Sequence, residues 1–142
     1  MKDSLKPGLI VDFKYKVPEN KTVPYLFPDI EEGKVMPKVF ATGFLLGLFE
    51  FSCIKALKPH LDWPNEQTVG IGMNMSHTAA TPAGMTIMVK GKLENMDGRK
   101  LTFTLEAYDE VDKISEATHE RYVINAEKFN VAIESKKAKA NP

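Results

Sequence analysis

Apolar and polar residues alternate along much of the chain, and this alternation predicts strands. A period of two places successive side chains on opposite faces, as in a strand with one buried face. The pattern occurs in five segments, which are residues 11–17, 69–76, 85–93, 101–107 and 114–124. Four of the five lie in the second half of the chain, so we expect a mostly antiparallel sheet of about five strands.

A different pattern predicts one long helix. Residues 39–57 (VFATGFLLGLFEFSCIKAL) are almost continuously apolar, and Pro59 and Pro64 prevent the helix from continuing. Residues 18–38 contain four prolines and should form an irregular covering segment, which in compact domains is often a lid.

A helix that is apolar on every side must be wrapped by other elements. The pattern therefore predicts an α+β hotdog fold, in which a curved antiparallel sheet surrounds one central helix; an ordinary α+β sandwich is the main alternative. The 142 residues are expected to form a single domain, with a polar tail from about residue 136 to residue 142 that frays.

Charge and cysteine content exclude several classes of protein. Lys and Arg total 19 and Asp and Glu total 19, so no basic field favours nucleic acid or an anionic membrane. The single cysteine, Cys53, excludes an internal disulfide and a cysteine metal cluster. No signal peptide is recognised, and the apolar helix is too short and too interrupted by Glu50 and Lys55 to span a bilayer. A cytoplasmic protein is the default expectation.

Glu50 is the most unusual residue in the pattern, because it lies inside the most apolar segment between Phe49 and Phe51. Burying an ionised carboxylate costs several kcal/mol unless a partner compensates it. Such a residue is a candidate base or nucleophile, although a solvated helix edge would explain it equally well.

Two glycines share the helix stripe that carries Glu50. Gly43 and Gly47 remove side chains there, either to leave room for a substrate or to allow close packing. Thr42 stands at the expected helix start, where it could serve as N-cap and also help the free N–H groups bind an oxyanion.

Thr42 and Glu50 are eight residues apart, which is about 12 Å along a helix. They cannot act on one bond from the same regular helix. If both are catalytic, a two-fold homodimer with adjacent antiparallel helices and two composite sites is favoured.

The chain has three histidines. His77 directly follows a predicted strand and opens a Gly/Pro loop, which is a favourable position for a site residue. His60 is expected on the surface, and His119 on a strand face with ordinary hydrogen bonds. No spacing typical of a metal site, a phosphate loop or a nucleotide-binding fingerprint is present.

Several motifs resemble one known family. They are VFATGF at residues 39–44, HTAATPAG at 77–84, THER at 118–121 and EKFN at 127–130, together with Gly47, Leu48, Glu50 and Cys53. In this order they closely resemble the fluoroacetyl-CoA thioesterases, which are hotdog-fold acyl-CoA hydrolases that work as homodimers. The resemblance covers about residues 11–130.

The resemblance implies site residues and an activity. It assigns Thr42, Glu50 and His77 as the catalytic set, and Gly70 and Arg121 as substrate-binding residues. We add Gly43 to the substrate-binding residues because it lies on the helix stripe of Glu50, where a glycine could leave room for a substrate. The implied reaction is hydrolysis of a short acyl-CoA, with CoA as part of the substrate and no separate cofactor or metal.

One segment departs from the family. The fluoroacetyl-specific enzyme has lid phenylalanines before the helix, whereas residues 31–36 (EEGKVM) have none, and Gly33 and Met36 occupy those positions. A general short-chain acyl-CoA hydrolase is therefore expected. The alternatives are a hotdog acyl-thioester hydratase or dehydratase and a non-catalytic acyl-CoA-binding protein.

Overall fold

A five-stranded antiparallel sheet forms the body of the protein. The computed structural model describes residues 1–141 and orders the strands β1-β3-β4-β5-β2. The strand bounds are β1 Ile10–Lys16, β2 Glu66–Met75, β3 Thr86–Asp97, β4 Lys100–Tyr108 and β5 Lys113–Asn125. All four pairings are antiparallel. The predicted strands are confirmed, and each observed strand extends or shifts by only a few residues.

The long helix, α1, spans Thr42–Leu57. It begins at Thr42, as predicted, and the preceding apolar residues Val39 and Phe40 form isolated bridges with Pro82 and Thr22 instead. The preceding residue, Ala41, is the N-cap and provides no side-chain hydrogen bond. The predicted N-cap role of Thr42 is therefore wrong.

The core lies between α1 and the inner face of the sheet. Leu45, Phe49 and Cys53 of α1 are fully buried in one cluster with Val89 and Phe103. The curled sheet around α1 confirms the predicted hotdog fold. The wrapping is incomplete, because Phe51 on the outer side of α1 is 64% exposed.

The covering segment before α1 is mostly irregular, as predicted, but it contains three short 3₁₀ turns. These turns are Glu19–Lys21, Val23–Tyr25 and Glu31–Val35. None of them buries a residue, and Phe27 and Val35 are 59% and 88% exposed. The segment therefore lies over the domain without belonging to its core.

A second helix, α2 at Ala126–Ala140, replaces most of the predicted frayed tail. Asn125 caps it by accepting a hydrogen bond from the Lys128 amide at 3.0 Å. The helix buries none of its residues, so no apolar stripe distinguished it from a solvated tail. Pro142, the last residue of that tail, lies outside the described residues.

Strand β2 is an edge strand with an irregularity at its centre. Its register against β5 shifts between Gly70 and Gly72, which leaves Ile71 as an extra residue that is 53% exposed. Among residues 1–141, no helix combines the length and the apolar character needed to cross a membrane.

Candidate active site

Glu50 has the compensating partner that its position requires. Its Oε2 accepts a hydrogen bond from Nη1 of Arg121 at 3.0 Å. The Arg121 side chain is only 2% exposed, whereas the Glu50 side chain is 32% exposed. The carboxylate thus faces solvent at one side while a buried cation holds its other side.

Strand β2 fixes the guanidinium of Arg121. Nε donates to the Thr68 hydroxyl, and Nη2 donates to the Thr68 carbonyl oxygen, each at 2.8 Å. Nε and Nη2 form one edge of the planar group, so Thr68 holds that edge and leaves Nη1 to donate toward Glu50 of α1. Thr68 was not identified from the sequence, since a lone threonine in a strand carries no distinguishing signal.

Gly70 makes room for the carboxylate. A Cβ atom at Gly70 would collide with Oε2 of Glu50 and would lie 3.4 Å from Nη1 of Arg121. The sequence prediction placed Gly70 and Arg121 at the substrate. The structure brings both of them into contact with Glu50.

Thr42 and His77 form a second pair at the start of α1. The Thr42 hydroxyl lies 2.8 Å from Nδ1 of His77. Burial lowers the pKa of His77, which favours the neutral imidazole. Its Nε2 is buried and has no hydrogen-bond partner within residues 1–141.

The two pairs lie apart within one chain. The pocket around His77 is lined by Thr42 and by neighbours such as Val39 and Ala79, but Glu50 is not among them. The eight-residue spacing on α1 corresponds to about 12 Å. A single chain therefore brings Thr42 to His77 and Glu50 to Arg121, but it does not bring the two pairs together.

The two helix glycines have different surroundings. A Cβ at Gly43 would approach Leu26 of the covering segment to 3.1 Å, so close packing explains that glycine. A Cβ at Gly47 would meet nothing within 4 Å. Gly47 borders an apolar groove of about 470 Å³ whose aromatic walls come from Phe13, Tyr15, Phe40, Phe44 and Phe51.

Sequence reasoning did not connect His119 to this site. Its Nε2 lies 3.1 Å from Nη1 of Arg121, and its Nδ1 lies 2.8 Å from the Gly72 carbonyl oxygen. The sequence signal that could have found it is the spacing of two residues between His119 and Arg121, because residues two apart on a strand point to the same face. His119 therefore had to share a face with Arg121.

Comparison with known proteins identifies the relatives of the chain. The profile of the family described as fluoroacetyl-CoA-specific thioesterase (FlK) matches residues 25–127. Fluoroacetyl-CoA thioesterase from Streptantibioticus cattleyicolor is 43% identical over 136 residues, which cover 96% of this chain and 97% of that protein.

Solved structures give the same relationship. A structure of FlK superposes with a TM-score of 0.91 at 42% identity and covers 94% of this chain and 98% of its own. A mutant of FlK in complex with fluoroacetate and CoA superposes with a TM-score of 0.85 at 42% identity, covering 88% and 99% of the two chains.

The curled five-stranded sheet around one long helix is that of the hotdog-fold thioesterases. Within that class, the chain belongs to the fluoroacetyl-CoA-specific thioesterase family. It is accordingly a thioester hydrolase, which confirms the predicted family and enzyme class.

Proposed function

We propose that the chain hydrolyses short acyl-CoA thioesters to the free acid and CoA, with Thr42, Glu50 and His77 as the catalytic set. The observation that carries this proposal is the partly exposed carboxylate of Glu50, which Arg121 holds at 3.0 Å and for which Gly70 makes room. Family membership supports hydrolysis over hydration or simple binding, and the FlK complex with CoA supports an acyl-CoA substrate.

The thioester carbonyl would bind at the start of α1. The first amides of a helix have no partner inside the helix and carry partial positive charge. Together with the Thr42 hydroxyl they would stabilise the oxyanion that forms when the carbonyl carbon is attacked. Thr42 is well placed for this role, because it is the first helical residue and is exposed.

Glu50 would supply the attacking oxygen in one of two ways. It could attack the carbonyl carbon itself, giving an anhydride that water then cleaves, or it could take a proton from a water molecule that attacks instead. In both routes the C–S bond breaks and the sulfur leaves as a thiolate. The neutral imidazole of His77 would first accept the proton that the attacking water releases, directly or through Glu50, and would then pass that proton to the thiolate. Protein groups and water suffice for the whole reaction.

The proposed reaction requires a homodimer with composite sites. Thr42 and His77 of one chain would act with Glu50 of its partner, since the separation of about 12 Å prevents them from acting together within one chain. Two exposed surfaces support this arrangement. They are the free edge of β2 with Ile71 and the outer side of α1 with Phe51.

The acyl preference is proposed to be general for short chains. Gly33 has no side chain, and Met36 is 47% exposed, so neither forms a rigid wall over a small acyl group. A strong selection for fluoroacetyl-CoA would need other residues.

A panel of acyl-CoA thioesters tests the proposal when free thiol and the acyl product are both measured. Thiol release that is lost in Glu50→Gln supports the proposed function. Addition of water to the acyl group without thiol release would show a hydratase. Saturable binding without turnover would show a binding protein.

A further inference from the structure

His119 contacts the same nitrogen of Arg121, Nη1, that donates to Glu50. Its side chain is 1% exposed, and both ring nitrogens have partners. Nδ1 lies 2.8 Å from the Gly72 carbonyl oxygen, and Nε2 lies 3.1 Å from Nη1 of Arg121. The ring therefore joins the irregular centre of β2 to the cation that holds the carboxylate.

These two contacts determine the tautomer of His119. A carbonyl oxygen can only accept a hydrogen bond, so Nδ1 must carry the proton. A guanidinium has only donors and keeps its charge, so Nε2 must accept from Arg121. Burial and the neighbouring guanidinium lower the pKa of His119, in agreement with a neutral ring.

The acceptor on His119 completes the hydrogen bonding of one guanidinium nitrogen. Nη1 of Arg121 has two hydrogens; one goes to Glu50 at 3.0 Å and the other goes to His119. Because both are used, the histidine lone pair holds Nη1, and with it the N–H bond that meets Glu50, from one side. Thr68 fixes the far edge of the same plane.

We propose that His119 is a positioning residue for the thioesterase reaction, because its Nε2 lone pair orients Arg121 and thereby places the Glu50 carboxylate for attack. The inference rests on the proposed catalytic role of Glu50. It assigns His119 no contact with the substrate. Its role is separate from that of His77, which pairs with Thr42 at the other end of the site.

Two substitutions separate the two contacts of the ring. His119→Gln can present a carbonyl oxygen where Nε2 stood, so it keeps an acceptor for Arg121. His119→Asn is shorter; it keeps a donor for Gly72 but loses the acceptor near Arg121. We expect kcat to fall about 10-fold or more in His119→Asn with a smaller change in KM, since a displaced catalytic group slows the chemical step. His119→Gln should retain most of the wild-type kcat.

His60→Gln is the matched control. His60 lies after α1 and contacts Ser4 through Nδ1 at 2.8 Å, away from Arg121. It should keep wild-type kcat. If His119→Asn keeps wild-type kcat, or if His119→Gln is folded and as slow as His119→Asn, the positioning role is wrong.

A double variant tests whether His119 acts through Glu50. Glu50→Gln with His119→Asn should be no slower than Glu50→Gln alone, because there is then no carboxylate left to position. Additive losses would refute that route. If Glu50→Gln loses activity while His119→Asn does not, the positioning role fails and the proposed function stands; if Glu50→Gln keeps activity, the proposed function fails as well.

The tautomer can be measured without activity. Imidazole ¹⁵N chemical shifts of the wild-type protein, with the three histidines assigned by multidimensional NMR of that same protein, should show a neutral His119 ring protonated at Nδ1 near neutral pH. A cationic ring, or a ring protonated at Nε2, would contradict the proposal even if the variants failed to fold.

Discussion

At the residue scale, Glu50 shows how a charged group is accommodated in an apolar helix. Its carboxylate is one-third exposed and paired with a buried guanidinium, so it is neither fully desolvated nor free in solvent. If one partner of such a pair is removed, the charge of the remaining partner is no longer compensated. When the remaining partner is buried, this lowers the stability of the fold. Arg121 therefore has a structural need for Glu50 in addition to any catalytic one.

Substitutions at Glu50 and His77 test the proposed catalytic set. Glu50→Gln and His77→Ala should each lower kcat/KM for acyl-CoA by at least about 100-fold, because positioned acid–base groups contribute that much or more. Thr42→Ser, which keeps the hydroxyl, should be milder than Thr42→Ala. Thiol release gives the rates, and circular dichroism checks the fold. Near-native rates in both folded variants would exclude this catalytic set.

Gly70→Ala tests whether the strand glycine positions the carboxylate. The added methyl group would collide with the end of the Glu50 side chain, which is flexible and can move away. Because the displaced carboxylate leaves the buried Arg121 without its partner, the variant should be less stable than wild type, and kcat/KM should fall about 10-fold or more.

Gly47→Ala is the control for adding a methyl group, since it meets open space in α1. Gly47→Ala should unfold at a temperature no lower than that of wild type. The higher helix propensity of alanine should raise the free energy of unfolding by up to about 1 kcal/mol. A Gly70→Ala variant with unchanged kcat/KM would show that the glycine serves another purpose.

At the scale of elements, patterns of buried residues were predictable and local capping was not. The alternation in β3 to β5 and the apolar run in α1 follow directly from burial of one face or all faces. Helix α2 buries nothing, so the sequence offered no periodic signal for it. The contact of Glu50 with Arg121 joins residues 71 positions apart, and periodicity carries no information on such pairs.

Asp109 ties the loop that contains His77 to the turn between β4 and β5. It accepts hydrogen bonds from the Thr81 hydroxyl at 2.8 Å and from the amides of Val111 and Asp112 at 2.8 and 2.7 Å. Burial alone would raise the pKa of Asp109, but these donors outweigh it and the pKa is lowered. The ionised form therefore stabilises the fold.

Asp109→Asn should be less stable than wild type above about pH 4, the ordinary range of an aspartate. The difference should shrink as the pH falls through the lowered pKa, because the wild-type carboxylate is then protonated too. Urea unfolding of both proteins at several pH values measures this difference in the free energy of unfolding. A difference that is constant from acid to neutral pH would contradict the electrostatic explanation.

Residues 31–36 of the covering segment contain no phenylalanine, and this predicts weak discrimination between fluoroacetyl-CoA and acetyl-CoA. A missing packing contact is worth only about 1–3 kcal/mol of discrimination. The ratio of kcat/KM for fluoroacetyl-CoA over acetyl-, propionyl- and longer acyl-CoAs should therefore stay below roughly 10³. A larger ratio would show that other residues close the pocket, with Phe27 and Phe40 as the first to examine.

At the scale of the whole molecule, the elements that carry Glu50 and Gly70 each present an uncovered surface. Strand β2 has a neighbour on one side only, and the outer side of α1 exposes Phe51 beside the apolar groove. An unpaired strand edge and an exposed aromatic groove are both surfaces that proteins normally cover. Glu50 and Gly70 lie between these two surfaces, on the facing sides of α1 and β2.

We therefore predict a homodimer whose sites combine Thr42 and His77 of one chain with Glu50 of the other. Sedimentation at micromolar concentration should give a dimer. Mixing His77→Ala with Glu50→Gln, each nearly inactive alone, should restore activity after subunit exchange, because a heterodimer then has one site with both wild-type groups. With random exchange, roughly a quarter of the wild-type rate is expected, since half of the dimers are mixed and half of their sites are intact. Mixed dimers that form without restored activity would show that each site lies within one chain. A fully active monomer would show that the reaction needs no dimer.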